Sequence, residues 1–234
     1  MRKFTAPTFI LLLVALVGTA SAQQIMPRLN KAIELLDNDQ TVFGLLSFDY
    51  SLNNARSLAN SGLDFIIIDM EHAPFDVERL RQFLLGMTDK RKILEKGSLQ
   101  PDVVPLVRIP ATGGEDVMFQ AKQVLDVGAF GVMYPSVSTR AQAEKSVGAT
   151  RYPQLNGAED FEPVGLRGRN PSNAVWYWGI RDYHPRADVW PLDPNGELLA
   201  IIQIETPEGV ENIDEIIAVP GIGVIFIGPS DLST

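Results

Sequence analysis

The chain has 234 residues, 45% of them hydrophobic and 21% charged, the balance of a folded globular protein and not of a disordered one. Its formal net charge of −9, with no basic stripe to offset it, argues against a nucleic-acid partner. The absence of cysteine excludes disulfides, a thiol nucleophile and a cysteine-bound metal.

The start, "MRKFTAPTFILLLVALVGTASAQQ", joins a positive end (Arg2, Lys3) to an apolar core from Phe9 to Val17 and the small run Ala20-Ser21-Ala22. Those are the parts of a secretory signal peptide cut after Ala22. The apolar run is too short to span a bilayer comfortably. Residues 1–22 therefore read as an export signal, with an uncleaved anchor as the alternative, and 23–234 as one exported domain with no membrane segment.

Strands and helices then alternate. A short amphipathic helix is predicted over 26–37, then a strand over 41–48, a helix over 51–62 stopped by Gly62, and the strand "FIIID" at 65–69. A helix over 76–87 has Asp76 as its N-cap. The strand at 103–109 precedes a helix over 115–128, the strand at 131–137 a helix over 139–150, and the strand at 198–205 a helix over 207–219 with Pro207 in its first turn. The last strand is 223–228. This alternation implies right-handed βαβ units and a parallel sheet, and the nearly unbroken apolar strands suit a sheet covered on both faces. A barrel and an open doubly wound sheet both fit, but no phosphate-cradling glycine loop follows the first strand. Residues 88–102 read as a charged surface insertion. The irregular stretch 153–197, with its three tryptophans, reads as a lid or interface loop. A closed barrel has eight strands and typically about 250 residues, so the chain reads as cut short after six.

In both parallel architectures chemistry gathers where the strand C-terminal ends open onto loops. Asp69, Glu71 and His72 end the second strand, Arg108 the third, Gln203 and Glu205 the fifth, and Asp231 follows the sixth. Glu205 and Asp231, on neighbouring strands about 4.8 Å apart, suit one shared hard cation, Mg²⁺ or Mn²⁺. Alternatively, each is a carboxylate favoured at a helix N-terminus. Gln203 shares a strand face with Glu205, as a substrate contact or a satisfied core amide. Arg108 either forks onto a carboxylate or keto oxygen or pairs with a neighbouring acid. His72 suits proton transfer near neutrality, though a lone histidine near a strand end is more often structural than catalytic. None of the seven lysines falls in a strand, which argues against imine chemistry.

The pieces "GLLSF", "SGLDFIIIDMEHAP", "VPLVRIP", "KQVLDVGAFGVMYPSVST", "ATRYP", "IIQIET" and "GVIFIGPSDLS" together resemble the HpcH/HpaI aldolase family, metal-dependent pyruvate aldolases related to citrate lyase β-subunits. They cover most of residues 41–153 and 198–233, in family order. The resemblance implies a TIM-type (β/α)8 barrel, here truncated after about six strands, and a homo-oligomer. It implies class II cleavage of a 4-hydroxy-2-oxo acid to pyruvate, or an analogue, and an aldehyde, through a metal-stabilised enolate. By the same resemblance Glu205 and Asp231 bind the metal, Arg108 contacts the keto acid, and His72 is the base, oriented by Asp126. Asp69 and Glu71 surround the metal waters, Gln203 touches the pyruvate part, and backbone N–H groups near Ser230 meet its carboxylate. On the residues alone Asp126 is equally a helix C-terminal acid beside Gly128. The export signal, the 153–197 segment and the missing last strands depart from the family pattern. Two rival readings are a malyl- or citramalyl-type acyl-CoA lyase and a noncatalytic exported binding protein or inactive fragment.

Overall fold

Runs of β-branched and other apolar residues become the strands, and polar punctuation between them becomes the turns. The computed structural model describes residues 27–110 and 116–233; the export signal expected over 1–22 lies outside them. In chain order the elements are α1 (Lys31–Asp37), β1 (Gly44–Ser47), α2 (Leu52–Ala59), β2 (Phe65–Asp69), α3 (Val77–Gly86), α4 (Lys90–Lys96), β3 (Val104–Arg108), α5 (Met118–Asp126) and β4 (Gly131–Tyr134). They continue with α6 (Arg140–Thr150), α7 (Ser172–Trp178), α8 (Tyr183–Arg186), β5 (Leu199–Ile204), α9 (Pro207–Glu211), α10 (Ile213–Ile217), β6 (Ile222–Ile227) and α11 (Pro229–Leu232). The six strands are all parallel and lie in sequence order. They form a curled half-barrel with helices packed against it.

The caps follow their residue types. Asp76 accepts the Arg79 N–H at the start of α3, and Thr139 with Gln142 forms a capping box at α6, each satisfying N–H groups the helix leaves unpaired. One expectation gains an element and one is corrected. The charged insertion contains α4, capped by Asp89 and closed by Gly97 in the left-handed conformation. The helix predicted over 207–219 breaks in two at Asn212, which ends α9 and starts α10.

Strands β3, β4 and β5 are buried along their whole length, as expected when helices cover one face and neighbouring side chains fill the other. The two edge strands differ: β1 is exposed at Gly44 and Leu45, and β6 is only half-buried.

The segment between α6 and β5 is fastened from within. Arg151 has no exposed side-chain surface; its Nε and Nη2 donate to Asp188 Oδ1 and Oδ2 at 2.6 and 2.7 Å. Its Nη1 donates to the Asp160 and Pro163 carbonyls at 2.8 and 3.1 Å. Glu197 likewise accepts the Leu29 and Asn30 N–H groups and Arg186, tying the start of the described chain beneath β5.

Candidate active site

Register places the first pair of functional side chains. Asp69 and Arg108 are partners across β2 and β3, at the C-terminal ends of both strands. Arg108 Nε donates to Asp69 Oδ1 at 2.7 Å. Burial alone would lower the Arg108 pKa, but the Asp69 hydrogen bond and the charges of Asp69, Glu71 and Glu205 raise it, so the guanidinium stays charged. The Asp69 carboxylate also accepts the N–H groups of Glu71 (3.1 Å) and His72 (3.3 Å). One buried acid therefore shapes the turn that presents both residues. Tyr50 braces the same turn, its hydroxyl donating to the Asp69 carbonyl with the Pro74 carbonyl 3.4 Å away. Burial, then Asp69 and Asp76, pushes the Tyr50 phenol up to about 12, so it remains a donor.

Glu71 stands between the cations. Its Oε2 lies 3.0 Å from Arg108 Nη1 and 3.7 Å from His72 Nε2, without hydrogen-bond geometry to any described residue. Burial pushes this carboxyl above its ordinary value; Arg108 and His72 pull it down, and Glu205 and Asp69 push it up again. The His72 side chain is 65% exposed, which leaves its ring open to solvent and to a substrate.

The second group comes from β4, β5 and β6. Glu205 follows β5 directly and is buried. Its Oε1 accepts both the N–H and the hydroxyl of Ser136, each at 2.8 Å. The Gln203 side-chain Nε2 donates to Glu205 Oε2, while the buried Gln203 Oε1 has no hydrogen-bond partner among the described residues. The β5–β6 ladder continues past the strands, Gly228 N–H donating to the Ile204 carbonyl at 2.9 Å. This sets Gly228 against Glu205: a Cβ there would stand 2.7 Å from Glu205 Oε2. Ser230 and Asp231 follow in the exposed first turn of α11.

These residues fit a divalent cation in three respects. Asp69 and Glu205 both act on Glu71, and all three act on Arg108, and three carboxylates against one guanidinium leave a formal excess of two negative charges. The donors are all oxygens, the set that suits Mg²⁺ or Mn²⁺. The bare α-carbon of Gly228 also leaves the side of Glu205 Oε2 away from the Gln203 amide unobstructed. Among the described residues no three His, Cys, Asp or Glu side chains stand close enough to hold an ion by themselves. A site with two carboxylate ligands, completed by water and substrate, has that character.

Within this chain Asp126 and His72 are not brought together. Asp126 is the last residue of α5, at the helix end remote from the strand C-terminal ends where His72 lies. There it binds Arg167, whose Nη2 and Nε reach Asp126 Oδ1 at 2.9 and 3.3 Å. Arg167 has no exposed side-chain surface and lies 4.5 Å over the Tyr152 ring. The sequence reading also missed Tyr50, Ser136 and Gly228. The last two lie inside the quoted pieces "YPSVST" and "FIGPSDLS", but nothing in residue type alone marks them.

The family model described as HpcH/HpaI aldolase/citrate lyase matches residues 47–234. A hydroxypyruvate/pyruvate aldolase of Roseobacter denitrificans is 32% identical over 207 residues, 88% of this chain and 69% of that protein. A 5-keto-4-deoxy-D-glucarate aldolase of Shigella boydii is 33% identical over 177 residues, 75% of this chain and 57% of that protein. The chain thus spans little more than half to two thirds of the length of these relatives. The crystal structure of an HpcH/HpaI aldolase/citrate lyase family protein from Burkholderia cenocepacia superposes with a TM-score of 0.68 at 32% identity, covering 87% of this chain and 70% of that one.

Proposed function

Because this chain belongs to the HpcH/HpaI aldolase/citrate lyase family, we propose that its site serves a metal-dependent aldehyde-lyase, cleaving a 4-hydroxy-2-oxo acid to pyruvate, or a close analogue, and an aldehyde. The observation that carries the reading is the gathering of Asp69, Glu71, Arg108, Gln203 and Glu205 at one end of the sheet. Glu205 and Asp231, at adjoining βα junctions, are the proposed ligands. A bound Mg²⁺ or Mn²⁺ would supply Lewis acidity against the substrate keto group.

The remaining roles belong to the chain itself. Arg108, held in place by Asp69, keeps positive charge where the keto oxygen becomes negative as the carbon–carbon bond breaks. His72, exposed at the mouth, takes the C4 hydroxyl proton, directly or through a water. Gln203 offers its amide to the pyruvate part, and N–H groups near Ser230 meet its carboxylate. Asp69 and Glu71 hold surrounding waters and set the His72 turn.

Cleavage of 4-hydroxy-2-oxo acids should vanish in EDTA and return with Mn²⁺ or Mg²⁺. Full activity in chelator overturns the reading. Export and homo-oligomeric assembly belong to the same proposal. Intact-mass measurement of protein recovered outside the cytoplasm should find a chain beginning at Gln23, and sedimentation should find more than one copy per particle.

A further inference from the structure

Glu205 has two oxygens with different surroundings. Oε1 faces Ser136 and takes two hydrogen bonds from it, one from the backbone N–H and one from the hydroxyl, both at 2.8 Å. Two donors occupy both in-plane lone pairs of a carboxylate oxygen. Oε2 faces the other way, toward Gly228, and accepts one hydrogen bond, from the Gln203 amide, which leaves it one in-plane lone pair for a cation. Ser136 makes its double contact from a left-handed backbone, φ 55°, a conformation that L residues other than Asn, Asp and His seldom adopt. A glycine would hold that turn at less cost. A serine therefore stands at a position whose backbone favours glycine, and its hydroxyl rests on the acid proposed to hold the cation.

We infer that Ser136 is a positioning residue for the cation site: it locks Glu205 Oε1 through two hydrogen bonds and so makes Oε2 the single coordinating oxygen of Glu205. This rests on the cation reading proposed above and deepens it. The position belongs to the loop after β4. That loop is itself tied to β5 by the Val137 N–H donating to the Gln203 carbonyl at 3.3 Å, so backbone contact as well as side-chain contact joins the segments carrying Ser136 and Glu205. An acid held by two donors on one oxygen presents the other without rotational freedom, and outer hydrogen bonds of this kind are worth about 10–100-fold in metal affinity.

The test is Ser136→Gly in the full mature chain, stripped of metal and titrated calorimetrically with MnCl₂. The variant keeps the N–H and relaxes the turn, so its melting temperature without metal should stay at or above the wild-type value. Its Mn²⁺ dissociation constant should rise about tenfold, and the Mn²⁺ concentration needed for half-maximal turnover should rise with it, while turnover at saturating Mn²⁺ recovers. A variant that binds Mn²⁺ as tightly as wild type overturns the role of Ser136 and leaves the cation reading standing. Wild-type protein that takes up no Mn²⁺ overturns both.

Discussion

Replacing Asp69 by asparagine tests how far the site depends on one buried acid. Asp69 has no exposed side-chain surface and accepts three donors, Arg108 Nε and the N–H groups of Glu71 and His72. Asparagine keeps the shape but loses the charge and one acceptor oxygen, so Arg108 is left in a buried place with a weaker partner. Removing one member of a buried ion pair costs about 3–5 kcal/mol. Glu71 Oε2 still lies 3.0 Å from Arg108 Nη1, which sets the expected loss at the lower end, about 3 kcal/mol. In a domain of this size each kcal/mol moves the melting temperature by roughly 2–4 °C, so Asp69→Asn should melt about 6–12 °C lower. Thermal unfolding followed by circular dichroism reads this directly. An Asp69→Asn/Arg108→Met variant should recover part of the loss, because the stranded charge is gone. A fall below about 2 °C, or a double variant whose losses simply add, would refute the reasoning.

Other substitutions probe the neighbouring contacts. Gly228→Ala would place a methyl group 2.7 Å from Glu205 Oε2 and 2.8 Å from its Cβ. Displacing a positioned group by about 1 Å costs on the order of 100-fold in rate, so turnover should fall on that scale, and the overlap with the Glu205 Cβ should also cost about 1–3 kcal/mol of stability. Wild-type turnover in that variant would show that Glu205 Oε2 needs no clearance. Asp64 tests pH dependence. Its burial would raise the pKa, but hydrogen bonds from Lys31 and from the Phe43 N–H, with the Lys31 charge, hold it below 3.8 in the folded state. A depressed acid stabilises the fold above its unfolded pKa, and that stability is lost as pH falls through the folded one. Asp64→Asn should thus be less stable than wild type at pH 7, with the gap starting to shrink below about pH 4 and closing as pH falls through the folded pKa; a gap that does not shrink at all on acidification would contradict the assignment.

The strands were legible because burial on both faces writes itself as unbroken apolar runs, as in "FIIID" and "LLAIIQI". Their polar endings were legible for the same reason: Asp69, Arg108 and Glu205 stand out where an apolar run stops. Helix α4 was not, since a lysine-rich stretch with no buried residue has no apolar stripe to read, although Asp89 and Gly97 marked its ends. The break at Asn212 was hidden because both halves continue the same polar–apolar rhythm. Asp126 carried two readings that composition cannot separate, and only the fold shows which end of α5 it occupies. Ser136 was illegible because its importance lies in a backbone angle and in a contact with a residue 69 positions away.

The guanidinium of Arg151 has a consequence for the stretch it fastens. A flap hinged at its two ends opens by local fluctuation, and its amides trade hydrogen with water long before the rest of the molecule does. Here the first part and the far part of the stretch, Asp160, Pro163 and Asp188, are riveted to one buried cation at the foot of α6. Prising it away would strand that cation without counter-charge. The stretch should therefore exchange and resist proteases together with the core, as masonry and not as a door.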